Sequence, residues 1–191
     1  MRKAILFSAI VGVTVAAAVS PHEAKALPGI GASGGILVGT GLKPGDYSEG
    51  SPNPYGLGLG VRGGINLMGL YGGATFVYHL GGSVDVLGQS VKTNVMYYGL
   101  EGGYEIGLGP IAVRPYVGLG NMSVKASVGS SSDSQSSLYV APGIVGLVTV
   151  AGFFVGADVR YMYPFKKGTT ANGGEISNAS LGFFGTVGMS I

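Results

Sequence analysis

Apolar and polar side chains alternate with a period of two along most of the chain after residue 30. Between Tyr55 and Leu67 the odd positions are mostly large and apolar, and most of the even positions are glycine. This period is that of a β-strand with two different faces, and glycine at this density disfavours helices. We therefore predict an all-β chain of eight strands. Six strands alternate cleanly and two less so: 55–67, 70–80, 95–106, 111–120, 153–163 and 181–191, then 30–42 and 138–150.

Long and short connections alternate between these strands. Four connections are polar and rich in glycine or serine, and three are tight turns. The predicted long loops are 43–54, 81–91, 126–136 and 166–176, and the turns are near 68–69, 107–110 and 150–152. This order is typical of an antiparallel up-and-down barrel with one tight rim and one rim of longer loops.

The distribution of charge indicates that the barrel spans a membrane. Only 10% of residues are charged and the mean hydropathy is +0.43, whereas soluble domains carry about 25% charged residues. The apolar strand faces are uncharged at mid-strand, as a lipid-facing surface requires. Six charged residues share the opposite, inward face: Arg62, Glu101, Glu105, Arg114, Asp158 and Arg160. We predict that they form a salt-bridge network in the lumen, because unpaired charges there would be costly.

Two other arrangements compete with the barrel. A soluble β-sandwich also alternates, but its water-facing side should carry many more charges. Residues 138–157 form an uncharged stretch of 20 residues, which is long enough for a membrane helix. Pro142 and several glycines favour instead a hairpin turning at Ala151 and Gly152. Both faces of 138–150 are apolar, so its orientation stays open.

The first 26 residues are typical of a secretory signal peptide. Arg2 and Lys3 precede an uncharged apolar run, and Ala24-Lys25-Ala26 fits the small-x-small cleavage pattern. A membrane anchor is the alternative, although the run is short for a spanning helix. The predicted domains are a signal peptide at 1–26 and a barrel at 27–191. Acidic and basic residues balance in the barrel, so no nucleic-acid partner is indicated.

The leader, the eight strands and the alternation of long and short connections resemble those of the OmpA/OmpX-like eight-stranded outer-membrane barrels. Residues 114–120, Arg-Pro-Tyr-Val-Gly-Leu-Gly, are similar to the fifth-strand pattern of that family. The resemblance implies a monomer in a Gram-negative outer membrane, with a structural or adhesive role. The implied partners are lipid, lipopolysaccharide, the outer-membrane assembly machinery and an extracellular ligand of the loops. Such proteins usually end in an aromatic residue, whereas this sequence ends in Ile191, so less efficient assembly is expected.

Candidate chemistry is sparse. The sequence has no cysteine, which excludes disulfides and thiolate chemistry. Residues 29–34 match a dinucleotide fingerprint but lack the preceding strand that it needs. His79, with nearby serines and Asp85, could serve a lipid A-modifying or acyl-transferring enzyme, but a hydrogen-bonded lumen residue is the preferred interpretation. Asp46 and Glu49 could contact calcium, although a solvated loop is favoured, and no cofactor or metal site is predicted.

Two further groups are expected at the membrane boundary. Tyrosines near strand ends on the apolar faces predict an interfacial girdle: Tyr55, Tyr78, Tyr98, Tyr104, Tyr161 and Tyr163. Lysines near the loop ends of the strands could contact lipopolysaccharide phosphates: Lys43, Lys92, Lys125, Lys166 and Lys167. The favoured function is a non-enzymatic surface protein with a filled lumen. A small-solute channel and an enzyme using His79 are the alternatives.

Overall fold

The computed structural model describes residues 30–43, 53–86, 89–128, 131–166, 168–169, 175–176 and 179–191. The predicted leader and Asp46, Glu49 and Lys167 lie outside these ranges. Eight long strands are present among them: β1 (Ile30–Leu42), β2 (Leu57–Leu67), β3 (Leu70–Val86), β4 (Gln89–Tyr104), β5 (Ile111–Val128), β6 (Ser131–Val150), β7 (Phe153–Pro164) and β8 (Ser180–Ser190). After a break at Glu105, Ile106–Leu108 continues the pairing of β4 with β5. A two-residue ladder joins Gly168–Thr169 to Glu175–Ile176.

The eight strands close into an antiparallel barrel. Each strand pairs with its neighbours in sequence, and β8 pairs with β1. The strands are staggered by ten residues around the barrel. Starting at Gly31 of β1 and moving from each residue to its partner on the next strand, one returns to β1 at Gly41. This stagger sets a strand tilt of about 40° and a backbone radius of about 8 Å. Such a barrel leaves an interior that side chains can fill.

The apolar faces point outward, as the alternation predicts. Leu100 is 71% exposed and Val155 58% exposed, whereas the inward-facing Val77 is fully buried. The structure also settles the orientation of β6, since Leu138 and Ile144 face out. The membrane-helix alternative is wrong: 138–157 folds into the β6–β7 hairpin, with positive φ at the turn residues 151 and 152. In the described part of the chain, no helix has the length and apolar character needed to cross a membrane.

Two predicted loops are largely strand. Pairing continues through residues 83–86 and 89–91 in the β3–β4 hairpin, and through 126–128 and 131–136 in the β5–β6 hairpin. A register shift between Leu80 and Ser83 accommodates the first extension. Apolar alternation weakens here, but the backbone hydrogen bonds of a ladder do not depend on apolar side chains. The barrel is therefore taller along β3 to β6 than elsewhere.

The predicted outward orientation of Tyr55 is wrong. β2 begins two residues later, at Leu57, and Tyr55 lies in the preceding turn with only 1% of its surface exposed. Its backbone oxygen accepts a hydrogen bond from the Gly41 amide. The turn thus directs the ring into the lumen and removes it from the predicted interfacial girdle.

Candidate functional site in the barrel lumen

Four charged side chains meet in the middle of the lumen, and we call them the central cluster: Arg62 of β2, Glu101 of β4, and Asp158 and Arg160 of β7. Arg62 Nε lies 2.8 Å from Glu101 Oε2, and Arg62 Nη2 lies 2.5 Å from Asp158 Oδ2. Arg160 Nη2 lies 2.9 Å from Asp158 Oδ2, and its Nη1 lies 3.6 Å from Glu101 Oε1. None is more than 9% exposed. Two positive and two negative charges therefore balance inside the barrel.

Aromatic residues complete the polar contacts of this cluster. The Tyr116 hydroxyl donates to both carboxylate oxygens of Asp158, at 2.9 and 3.0 Å. Arg160 Nη1 donates to the Tyr97 hydroxyl at 3.4 Å. The Arg62 guanidinium lies 4.8 Å from the centre of the Tyr116 ring, a cation–π distance. The identity of these partners depends on strand register, so sequence reasoning placed the tyrosines on this face without assigning them to the network.

The other two predicted network residues form a separate pair nearer the short-turn rim. Arg114 Nε donates to Glu105 Oε2 at 3.0 Å, and the Arg114 guanidinium stacks over the Tyr71 ring at 3.8 Å. The Glu105 side chain is 25% exposed, in contrast to the central cluster. No ion pair or hydrogen bond joins the two groups within the described ranges. The structure thus brings four of the predicted charges together and places Arg114 and Glu105 apart.

Apolar and aromatic side chains fill the lumen between the central cluster and the long-strand end. We call this group the plug: Leu37, Tyr55, Val77, Val95, Tyr97, Met122, Tyr139, Ala141, Met162 and Phe184. Each is at most 4% exposed. The predicted salt-bridge network did not include this apolar layer, although inward-phase aromatic residues on β4, β6 and β8 indicate it in the sequence.

His79 lies within the plug. Its ring contacts those of Tyr55, Tyr97 and Phe184 at centroid distances of 5.7 to 5.8 Å. Nδ1 lies 3.1 Å from the Gly56 carbonyl oxygen, and the residue is 2% exposed. The plug therefore encloses the His79 imidazole. Within the part of the chain that the structure describes, no group of three or more histidine, aspartate or glutamate residues could hold a metal ion.

The short-turn end of the lumen opens into a vestibule of about 440 Å³. Glu105, Arg114, Leu147 and Phe154 are among its lining residues. Deeper in, beside Arg62, the described side chains leave a space of about 10 Å³, which is about the room for one water molecule. The central cluster and the plug then occupy the lumen, so the vestibule has a closed inner end.

The predicted boundary residues occupy both rims. Tyr78, Tyr98, Tyr161 and Tyr163 are exposed on the outer face toward the long-strand end, and Tyr104 is exposed near the short turns. The following lysines are exposed on the long-strand side: Lys92, Lys125 and Lys166. Lys43 is half-buried, and this burial lowers its pKa below the usual lysine value.

Comparison with known proteins assigns this architecture to a family. The sequence matches the outer membrane protein beta-barrel domain over residues 5–184. The chain belongs to this family. The resemblance to eight-stranded outer-membrane barrels is therefore confirmed, and the family places the protein in the outer membrane of a Gram-negative bacterium. No curated protein matches the sequence.

Solved structures of outer-membrane barrels share the fold. Neisserial surface protein A is 12% identical, with a TM-score of 0.58 and coverage of 85% of this chain and 96% of its own. The attachment invasion locus protein Ail of Yersinia pestis is 15% identical, with a TM-score of 0.52 and coverage of 85% and 97%. A major outer membrane protein of Thermus thermophilus is 12% identical, with a TM-score of 0.58 and coverage of 85% and 99%. At these identities the likeness concerns the fold.

Proposed function

We propose that this family member is a non-conducting, non-enzymatic surface protein with a structural or adhesive role. The observation that carries the proposal is the lumen, in which the central cluster and the plug are both buried. A filled barrel of eight strands is a rigid support rather than a conduit.

A small-solute channel is the first alternative. A conducting path would need to pass the central cluster, where Arg62 contacts carboxylates contributed by two other strands. Single-channel recording in planar bilayers tests this directly. We expect no steady conductance steps from the wild-type barrel. Reproducible steps from a folded, heat-modifiable preparation would establish the channel alternative.

An enzyme using His79 is the second alternative. The aromatic rings around His79 and its contact with the Gly56 carbonyl support a packing role. In a His79→Gln strain, which keeps a side chain able to hydrogen-bond, we expect the lipid A profile to equal that of the wild type. A changed profile from a strain whose barrel is folded would support enzymatic activity.

The tall side of the barrel supports a role at the cell surface. β3 to β6 contain 17, 16, 18 and 20 residues, whereas β1, β2, β7 and β8 contain 13, 11, 12 and 11. Short turns of such barrels face the periplasm and longer segments face outward, so the extended hairpins would project from the cell. A paired ladder is already ordered, which lowers the entropic cost of binding a partner.

Shortening the projecting hairpins separates an adhesive role from a purely structural one. A variant with 83–90 replaced by a two-residue turn keeps the lipid-facing part of β3 and β4. We expect cells with this variant to adhere less to host-cell or extracellular-matrix surfaces while barrel abundance stays unchanged. Unchanged adherence together with a leakier outer membrane in a deletion strain would favour the structural role.

Export and membrane contacts complete the proposal. We infer that the leader 1–26 is removed and that 27–191 is inserted as a monomer by the outer-membrane assembly machinery. The rim lysines would then meet lipopolysaccharide phosphates. The exposure of Lys92, Lys125 and Lys166 supports this placement.

A further inference from the structure

One ion pair supplies the charge of the vestibule at the short-turn end. Arg114 and Glu105 are the charged residues among the described residues that line it. Nε and Nη2 of Arg114 both contact the same carboxylate oxygen, Glu105 Oε2. Within the described ranges, Glu105 Oε1 and Arg114 Nη1 have no hydrogen-bond partner. The pair therefore offers one free acceptor and one free donor, while its net charge is zero.

Neighbouring groups hold both members of the pair in place. The Arg114 guanidinium stacks over the Tyr71 ring at 3.8 Å. The Glu105 amide donates to the Gly69 carbonyl oxygen at 2.7 Å, and the Gly69 amide donates to Asn66 Oδ1 at 2.8 Å. The turn between β2 and β3 thus fixes the backbone of Glu105. Groups that are already ordered reduce the entropic cost of binding a ligand.

Apolar side chains surround this polar pair. Leu147 and Phe154 lie on the inner wall and are 7% and 8% exposed. Ile30, Met68 and Ile191 lie at the mouth, where strands end or turn. The volume of about 440 Å³ is at the lower end of the range for small-ligand pockets, about 300–1,000 Å³. The vestibule therefore suits a small ligand with an apolar body and a polar group that both donates and accepts hydrogen bonds.

Backbone groups at the rim of the vestibule are already paired. The amides of Ala32 and Ile191 each donate to the carbonyl oxygen of the other at 2.9 Å, and the Thr149 amide donates to the Pro110 carbonyl oxygen at 2.8 Å. A ligand that adds a strand to a sheet needs an edge with unpaired backbone groups, whereas β1 and β8 close the barrel here. Recognition of a ligand in the vestibule therefore depends on side chains.

We propose that the vestibule binds a short uncharged peptide segment with apolar side chains, supplied from the periplasm. One peptide group donates its N–H to Glu105 Oε1 and accepts from Arg114 Nη1, and the flanking side chains pack against Leu147 and Phe154. A free carboxylate would meet the charge of Glu105, and a free ammonium would meet that of Arg114. Such like-charge contacts are costly, so the ligand is an internal segment of a polypeptide. This inference goes beyond the structural or adhesive role, which concerns the opposite end of the barrel.

Capped and uncapped dipeptides test the predicted preference for a neutral ligand. The probes are N-acetyl-dileucine amide, which is neutral, dileucine amide, which carries an ammonium, and N-acetyl-dileucine, which carries a carboxylate. Each is titrated calorimetrically into the wild-type barrel in lipid nanodiscs, with empty nanodiscs as the blank. We expect the neutral probe to bind about tenfold more tightly than either charged probe. Equal affinity for the three probes, or no binding above the blank, would overturn the proposal.

Neutralising one member of the pair should change which probe is preferred. Glu105→Gln leaves Arg114 uncompensated, so we expect this variant to prefer the carboxylate probe. Arg114→Gln leaves Glu105 uncompensated, so we expect it to prefer the ammonium probe. Heat-dependent gel mobility verifies that both variants are folded. A purely structural pair would leave the order of the three affinities unchanged in the folded variants, and this result would overturn the proposal.

Filling the vestibule tests the location of the site. Ala112 is a lining residue, and we expect Ala112→Leu to weaken binding of the neutral probe about tenfold, the effect of losing about one buried contact group. Ala157→Leu, at an exposed position on β7, should bind as wild type does. A neutral probe with a diazirine on one leucine side chain should crosslink to residues 30–33 and 147–154. Equal binding by the two variants, or crosslinks confined to the outer face, would contradict a site in the vestibule.

Discussion

Replacing Asp158 by asparagine tests how the lumen is held together. The Asp158 carboxylate lies 2.5 Å from Arg62 and 2.9 Å from Arg160, accepts a bifurcated hydrogen bond from the Tyr116 hydroxyl, and its side chain is 0% exposed. Asparagine keeps the shape but leaves the two arginines facing only Glu101, so the buried cluster acquires one uncompensated positive charge. Removing one partner of a buried pair costs about 3–5 kcal/mol. We expect a loss of that size in the free energy of unfolding.

A second substitution distinguishes charge imbalance from lost hydrogen bonds. Asp158→Asn/Arg160→Met restores neutrality and keeps the volume of the arginine stem, so it should be less destabilised than the single variant. The control Asp133→Asn, at an exposed position on β6, should change stability by less than about 0.5 kcal/mol. Urea unfolding in lipid vesicles should be followed by far-UV circular dichroism, because the sequence contains no tryptophan. A single variant as stable as wild type, or a double variant worse than the single, would refute the reasoning.

Three further substitutions or measurements probe other parts of the molecule. Arg114→Ala should lower the free energy of unfolding by about 1–2 kcal/mol, which is less than the loss expected for Asp158→Asn. The reason is that Glu105 is partly exposed at the vestibule, so water can replace the guanidinium. Equal losses for the two variants in urea unfolding would contradict this. Gly58→Ala should destabilise the barrel, since its Cβ would approach the buried imidazole to 2.7 Å, whereas Gly146→Ala meets open space and should be neutral in the same assay. Amino-terminal sequencing of the membrane-inserted protein should begin at Leu27; a sequence beginning at Met1 would show that the leader is retained as an anchor.

The outward face of the barrel is predictable because contact with lipid requires apolar side chains at every second position along each strand. Positions such as Leu100 and Val155 follow from period-two alternation alone, and both are exposed as expected. The orientation of β6 does not follow from it, since the inward-facing residues Tyr139, Val145 and Leu147 are themselves apolar or aromatic. Alternation identifies the inner face of a strand only where the residues on that face are small or polar.

Strand ends and charge partners require information that is not local in the sequence. The polar extensions of β3 to β6 are paired through backbone groups, which side-chain alternation does not report. Tyr55 faces inward because a turn precedes β2 at that point. The inward phase of Arg62 and Glu101 is visible in the sequence, but their contact depends on the stagger of the closed barrel. The same stagger places Arg114 beside Glu105 and away from the central cluster.

Spin labels on single cysteines test most directly whether the apolar face meets lipid and the lumen is enclosed. The sequence has no cysteine of its own, so Leu100→Cys, Val155→Cys and the vestibule residue Ser33→Cys each carry one label. In membrane-inserted protein we expect labels at 100 and 155 to be relaxed strongly by oxygen and weakly by a water-soluble nickel complex. The label at 33 should show the reverse. Strong relaxation of the labels at 100 and 155 by the nickel complex would contradict a lipid-facing barrel. Weak relaxation of both labels by oxygen as well as by nickel would also contradict it.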